Sequence, residues 1–280
     1  MKKFFAAICA AALLMTGCGG DNASAPAQDT DKTKIGVITH LNASEIEYNN
    51  LMNKLDKSYR PSEASPAEYK YFDKMNDMQM APDAKQIDML STYQNVANYM
   101  IQRNEKFETL PAERSLSDSF CFAVREGDKM LQRELNKAIK AMVNDGTLVN
   151  LSKKYITDLQ DGAEPPAVPI AHIDGADTIK VAVTGDLPPF DMILADGTPA
   201  GFSTAVLAEL SRRINKNIEL VSVDSAARAS ILSSNGADVV FWVSVPKDTA
   251  LIPAKIDQPE GVVLSDPYYQ DTIAHIGLKK

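Results

Sequence analysis

Few residues of this 280-residue chain have the type and spacing for bond-making chemistry. The histidines are three, His40, His172 and His275, far apart in sequence. The cysteines are Cys9, Cys18 and Cys121, with no C-x-x-C pair and no Cys/His cluster, so a zinc-ribbon or finger site is not expected. The nucleotide-binding glycine motifs, H-E-x-x-H and G-x-S-x-G are all missing from the sequence. Met75, Met78 and Met80 offer thioethers, which favour Cu(I), but their spacing is that of a helix core. No cofactor, no metal and no catalysis are expected. With 37 acidic against 29 basic side chains, the formal net charge of −8 argues against nucleic acid or an anionic membrane surface as partner, since both require concentrated Lys and Arg.

The first residues carry a different kind of chemistry. Lys2 and Lys3 precede an apolar run from Phe4 to Met15. It is too short for a bilayer, which needs about 20 residues, and has the layout of a secretory signal. It ends in Leu14-Met15-Thr16-Gly17-Cys18, which resembles the lipobox of bacterial lipoproteins, with Met15 where Leu is usual. That resemblance implies a signal peptide at 1–17, lipidation of Cys18, and a membrane-anchored location in the periplasm or at the cell surface. Residues 18–33, rich in Gly, Ala, Ser, Asp and Pro, then read as a flexible tether. Cys9 leaves with the signal, and Cys121, in the apolar run Phe120 to Val124, is expected to be a buried thiol acting as a small hydrophobe.

The elements that must position any site alternate between strand and helix patterns. Strand signals fall at 34–39, 69–72, 87–90 and 120–124. Ser44-Glu45-Ile46-Glu47 is a capping box, and Leu131, Leu135, Ile139, Met142 and Val143 give an amphipathic helix that stops at Asp145-Gly146. Residues 158–177, with three prolines and two glycines, form a linker. A second α/β run follows from 178 to 280, with strands at 179–183, 218–223 and 237–243 and helices at 203–214 and 225–233. Alternation of this kind favours an α/β fold with parallel strands.

Four stretches of the second run resemble the first lobe of the type II periplasmic solute-binding proteins, the amino-acid-binding class used by ABC importers. They are Val181 to Phe190, with Pro188-Pro189-Phe190; Asp196-Gly197-Thr198-Pro199-Ala200-Gly201-Phe202; Arg228 with Leu232, Asn235-Gly236 and Asp238; and Leu264-Ser265-Asp266-Pro267-Tyr268-Tyr269. The N-terminal run resembles the remainder of the same fold: Ile35 to Asn49 and Met78 to Asp88 its second lobe, Phe122 to Asp128 and Leu135 to Tyr155 its return strand and closing helices. The resemblance therefore implies a two-lobe type II fold with permuted lobe order: a second-lobe segment at 34–117, return elements at 118–157, a linker at 158–177 and a first-lobe segment at 178–280. Two truncated copies, each completed by a second chain, is the alternative.

In that fold a ligand lies between the lobes at the carboxyl ends of strands, and closure is a hinge motion. The implied ligand-binding residues are Asp186, to accept from a ligand ammonium; Phe190 and Trp242 as apolar walls; Arg228, to fork onto a carboxylate or tie the lobes; Ser244; Tyr268; and, on the N-terminal side, Thr39, His40 and Tyr93. Free N–H groups at the helix start after His40 would suit a ligand carboxylate. Three family features have no counterpart: the aromatic before Pro-Pro-Phe is Leu187, the T-x-x-R arginine is absent from 245–258, and none of Thr92, Tyr93 and Gln94 is the acidic contact often found there. The implied function is capture of a small polar solute, an amino acid in the first instance, for an ABC permease. A ligand-sensing or protein-interaction lipoprotein on the same fold is the second class. An enzyme is a weaker third, with Asp186 and His40 as the available acid or base.

Overall fold

Strand β1 (Thr33–Ile38) opens the folded body of the computed structural model, which describes residues 32–59, 67–111, 116–159, 162–247 and 252–280. The signal, Cys18 and the tether up to residue 31 lie outside the described residues. After β1 come α1 (Glu45–Tyr59), β2 (Ala67–Phe72), α2 (Met75–Met80), β3 (Met89–Tyr93), α3 (Gln94–Arg103), β4 (Phe107–Leu110), β5 (Ser117–Arg125), α4 (Lys129–Asn144) and α5 (Thr147–Ser152). The chain continues through β6 (Thr178–Val183), β7 (Asp186–Leu187), β8 (Asp191–Ile193), β9 (Pro199–Ala200), α6 (Phe202–Ile214), β10 (Asn217–Ser222), α7 (Arg228–Ser233), β11 (Val239–Pro246), β12 (Val262–Leu264) and β13 (Tyr269–Leu278).

Eight strands form one path in the order β10-β6-β11-β5-β13-β3-β1-β2, with β12 added on β5 and β4 on β13. At one end β1 lies parallel between β2 and β3. At the other, β6 lies parallel between β10 and β11. Each set of parallel strands comes with its own crossover helices, so the molecule has two α/β lobes. They are joined in the middle by two antiparallel strands. Residues Tyr269 to Thr272 of β13 pair with Phe120 to Ser117 of β5, and Ile273 to Ile276 pair with Tyr93 to Leu90 of β3. One strand thus serves both lobes.

Local sequence explains the elements. In α4, Leu135, Ala138, Ile139 and Met142 form one buried stripe, the helical period of three and four. Gly146, at φ 77°, turns the chain into α5 in a conformation that a side chain would disfavour. Residues Val239 to Val243 of β11 are all buried, because the strand is covered on both faces. Gly201 is required by contact: a Cβ there would come within 2.5 Å of the Phe190 carbonyl oxygen. Met75 and Met78 are fully buried helix core, whereas Met80, expected with them in the core, is largely exposed. Cys121 is free and buried, and burial pushes its thiol up to about 12.

Residues 158–177 are fixed against the second half of the chain where they are described. Val168 is buried and its N–H donates to Pro199 O at 2.8 Å. The Asn217 side chain binds Ile173 from both directions. Three details were not legible as patterns: the short strands β4 and β12, and the small β7-β8-β9 sheet.

Candidate functional site

The carboxyl ends of β1, β3 and β11 converge on a cavity of about 80 Å³, room for several water molecules at ~10–15 Å³ each. This is where open α/β sheets place ligands. Its lining draws on both lobes and on the strands between them: Thr39 and His40 after β1, Tyr93 ending β3, Asp118 beginning β5, Arg228 of α7, and Trp242 and Ser244 of β11. Leu187, at the position of the expected aromatic, also lines it, as do Tyr48 and Asp257.

Six of the residues expected at a ligand site therefore meet at one cavity: Thr39, His40, Tyr93, Arg228, Trp242 and Ser244. Three do not line it. Phe190 is fully buried among Phe120, Phe202 and Tyr269, with ring centroids 5.2, 6.3 and 5.4 Å away. Tyr268 stacks on Phe122 at 4.5 Å inside the core. Asp186 is engaged within the protein: its Oδ2 accepts the Met75 N–H at 2.8 Å, at the start of α2 in the other lobe. Burial raises its carboxyl above the ordinary value.

Arg228 is 3 % exposed and ties the lobes together. Its Nε donates to Ser225 O at 3.2 Å, Nη1 to Trp242 O at 3.2 Å, and Nη2 across the cleft to Thr39 O at 2.8 Å. Its guanidinium carbon sits 4.7 Å from the centre of the Trp242 ring, a cation–π contact. Burial lowers its pKa, opposed by the charges of Asp257 and Tyr93. Trp242 itself occupies a bulge between Val240 and Val243 at φ 39°, a strained conformation for a bulky residue. Its indole N–H is buried without a partner.

The helix start after His40 is not free. Ser44 and Glu47 complete the capping box: the Glu47 N–H donates to Ser44 Oγ at 3.2 Å, and the Ser44 N–H to Glu47 Oε2 at 3.0 Å. The preceding N–H groups of Asn42 and Ala43 donate to Asp257 Oδ1 at 2.6 and 3.2 Å. A carboxylate of the chain itself thus fills the place anticipated for a ligand's. Asp257 Oδ2 lies 3.6 Å from His40 Nδ1, and the His40 ring packs on Tyr48 at 4.4 Å. Burial works against the Asp257 charge, but contact with His40 and the N–H donors holds its pKa below the ordinary value.

Asp118 is the residue that sequence reasoning missed. It is 9 % exposed, and its Oδ2 accepts the Tyr93 hydroxyl at 3.0 Å. Burial pushes its carboxyl up, and the Tyr93 hydrogen bond only partly offsets this. It sits directly beside Tyr93, where an acidic residue was sought and not found in the local sequence. Its signal was weak: a single acid between two serines just ahead of an apolar run. Asp257 had no signal, because only the folded chain carries its turn to Asn42.

The body is two α/β lobes with a cavity of mixed polar, apolar and aromatic lining at the strand ends between them. The family model for bacterial extracellular solute-binding proteins, family 3, matches residues 69–158 and 179–247, and the chain belongs to that family. No curated protein matches the sequence. Among solved structures the chain is similar to the ligand-binding component of an ABC-type import system from Staphylococcus aureus, at 13 % identity and a TM-score of 0.44, over 89 % of this chain and 66 % of that one. The chain thus spans just under two thirds of that protein's length. It is similar to the methionine-binding protein MetQ at 9 % identity and a TM-score of 0.42, over 89 % and 84 %. The ligand-binding core of GluR0 from Nostoc punctiforme gives 12 %, 0.37, 89 % and 84 %. Among the described residues no helix is long and apolar enough to cross a membrane.

Proposed function

We propose that this protein captures a small polar solute of the amino-acid type in the interlobe cavity and delivers it to an ABC importer, while anchored to the membrane through lipidated Cys18. The observation that carries the binding reading is the cavity itself: Asp118 is a buried carboxylate at its wall, held by one hydroxyl, beside aromatic rings from both lobes. A buried charge of that kind is costly unless something pairs with it, and a ligand ammonium does so. Thr39, His40, Tyr93, Trp242 and Ser244 complete the proposed site, with Arg228 holding the lobes in register around it. Asp186, Phe190 and Tyr268 act from outside the cavity, through the interlobe contact and the core.

We read the chain as signal (1–17), tether (18–33), second lobe (34–117), return elements (118–157), linker (158–177) and first lobe (178–280), a permuted order of the family's lobes. Two crossing strands, β5 and β13, support it, since each lobe's sheet is completed from within one chain. A monomer in solution is expected, and a domain-swapped dimer would overturn the permuted monomer. Labelling with a radioactive fatty acid is expected to mark the wild-type protein and not Cys18→Ser. For the ligand, a thermal-shift screen of the twenty amino acids should raise the melting temperature with at least one, by about 2.7 kcal/mol of stabilisation at a hundredfold excess over Kd. A flat response across that panel would count against capture of an amino acid.

A further inference from the structure

Charge recognition in this cavity is one-sided: the unpartnered donor among its lining side chains, the Trp242 indole N–H, is buried and neutral. Two groups of donors stand where a ligand carboxylate would bind, and both are engaged by the protein. The N–H groups of Asn42 and Ala43 hold Asp257. The guanidinium of Arg228 holds three backbone carbonyls, one in the opposite lobe, with its face against Trp242. The acceptor side is the reverse. Asp118 receives one hydroxyl hydrogen bond, and among the described residues no Lys, Arg or His forms an ion pair with it. The carboxylates of Asp118 and Asp257 share the cavity with the Arg228 guanidinium and the His40 imidazole, and His40 contacts Asp257, which leaves Asp118 as the carboxylate without a cationic contact of its own among the described residues. The cavity lining includes Tyr48, Tyr93 and Trp242, rings whose faces attract cations.

We infer that the ligand is a small organic amine, held at its ammonium by Asp118 between aromatic side chains, and that a ligand carboxylate is not required for binding. The inference rests on the solute-binding reading and narrows it: decarboxylated relatives of amino acids belong to the ligand class, and deaminated ones do not. The size of the cavity agrees, since about 80 Å³ favours a compact molecule.

The test uses the full mature chain and two matched sets of probes: ethylamine, alanine and propanoate, then ethanolamine, serine and 3-hydroxypropanoate. Within a set the body is constant and only the charged ends change. Titration calorimetry is expected to show at least one amine binding within about tenfold of its amino acid, or more tightly, with both acids silent. Asp118→Asn should then weaken the amine at least tenfold, with a melting temperature close to wild type. If both amines are silent while any of the twenty amino acids binds, the inference is overturned and solute binding stands. An acid that binds as well as its amine also overturns it, as does an unchanged affinity in Asp118→Asn. If every probe and every amino acid is silent, both readings fall. The wild-type comparison decides the matter even if the variant misfolds.

Discussion

Asp191 and Asp118 are both buried carboxylates, 1 % and 9 % exposed, yet they sit in opposite settings. Asp191 closes the loop between β6 and β8: its Oδ2 accepts the Thr184 N–H at 3.0 Å, the Thr184 hydroxyl at 3.1 Å and the Gly185 N–H at 2.9 Å. Asp118 accepts one hydroxyl. Three donors from one tight loop make Asp191 part of the fold. One donor at the wall of a cavity leaves Asp118 able to take another partner. Burial alone therefore does not separate the two acids; the number and source of their donors do. Removing a carboxylate from the first setting should cost stability, and from the second, binding.

The largest stability effect is expected at Asp191. In Asp191→Ala three buried donors lose their acceptor, a loss of about 2–4 kcal/mol, or roughly 5–10 °C in melting temperature for a body of this size. Asp118→Ala should stay within about 1 kcal/mol of wild type, because the lost hydroxyl bond is offset by relief of a buried charge. Thermal denaturation of both variants without ligand checks the contrast. Equal losses would break it.

A smaller effect follows from protonation. Burial raises the Asp191 carboxyl from the ordinary 3.8 to about 6 even against its three donors. Asp118, Asp186 and Asp271 are raised too, each chiefly by burial. A raised acid binds more protons in the folded state than in the unfolded one. Its contribution is therefore fully present below the unfolded value and is lost as pH rises through the folded one. Asp257 and the exposed Asp145 are lowered and act in the opposite sense, losing their contribution as pH falls. His275, whose imidazole burial lowers, acts in that opposite sense within pH 5 to 7.5, so the slope of the whole protein is the difference between the two effects. Asp191 alone should make the protein about 1–1.5 kcal/mol more stable at pH 5 than at pH 7.5. Asp191→Asn keeps an oxygen for the loop donors and removes the charge, so it should take this component out of the profile and leave that of His275. An unchanged difference in stability between pH 5 and 7.5 in the variant would contradict the assignment to Asp191.

The same contrast explains what could be read from the sequence. Elements that depend on local pattern were legible: the stripe of α4, the capping box before α1, the run of β11 and the break near Pro165 all carry their signal within a few residues. Six cavity residues were legible because each follows or ends such an element. Asp186 lies away from the cavity lining for a reason that no local pattern holds, since it accepts the Met75 N–H in the other lobe, 111 residues away in sequence. Phe190 and Tyr268 were drawn into the core by ring contacts with β5 and α6. Asp118 and Asp257 became visible only when the chain placed one acid against Tyr93 and the other against Asn42. Charge at the cavity is a tertiary property, assembled from segments whose own sequences are unremarkable in pattern.

The smallest expected effect comes from Glu47, an acid that is well satisfied but exposed. Its Oε2 accepts from the Ser44 N–H at 3.0 Å and from the Ser44 hydroxyl at 2.7 Å, while the Ser44 Oγ accepts the Glu47 N–H in return. These bonds lower its pKa. Like Asp191 it has local donors, but water competes for every one of them. If donor count alone set the cost, replacing this pair would hurt as much as opening the loop at Asp191. If burial multiplies the value of each bond, the cost should be several times smaller. Ser44→Ala removes the cap and is expected to lower the melting temperature by roughly 2 °C. Ligand affinity should stay unchanged, because the Asn42 and Ala43 N–H groups remain on Asp257. A loss matching that of Asp191→Ala would show that donor count, not burial, governs these carboxylates. A loss of affinity in Ser44→Ala would instead place the start of α1 in direct contact with the ligand, contrary to the one-sided site built around Asp118.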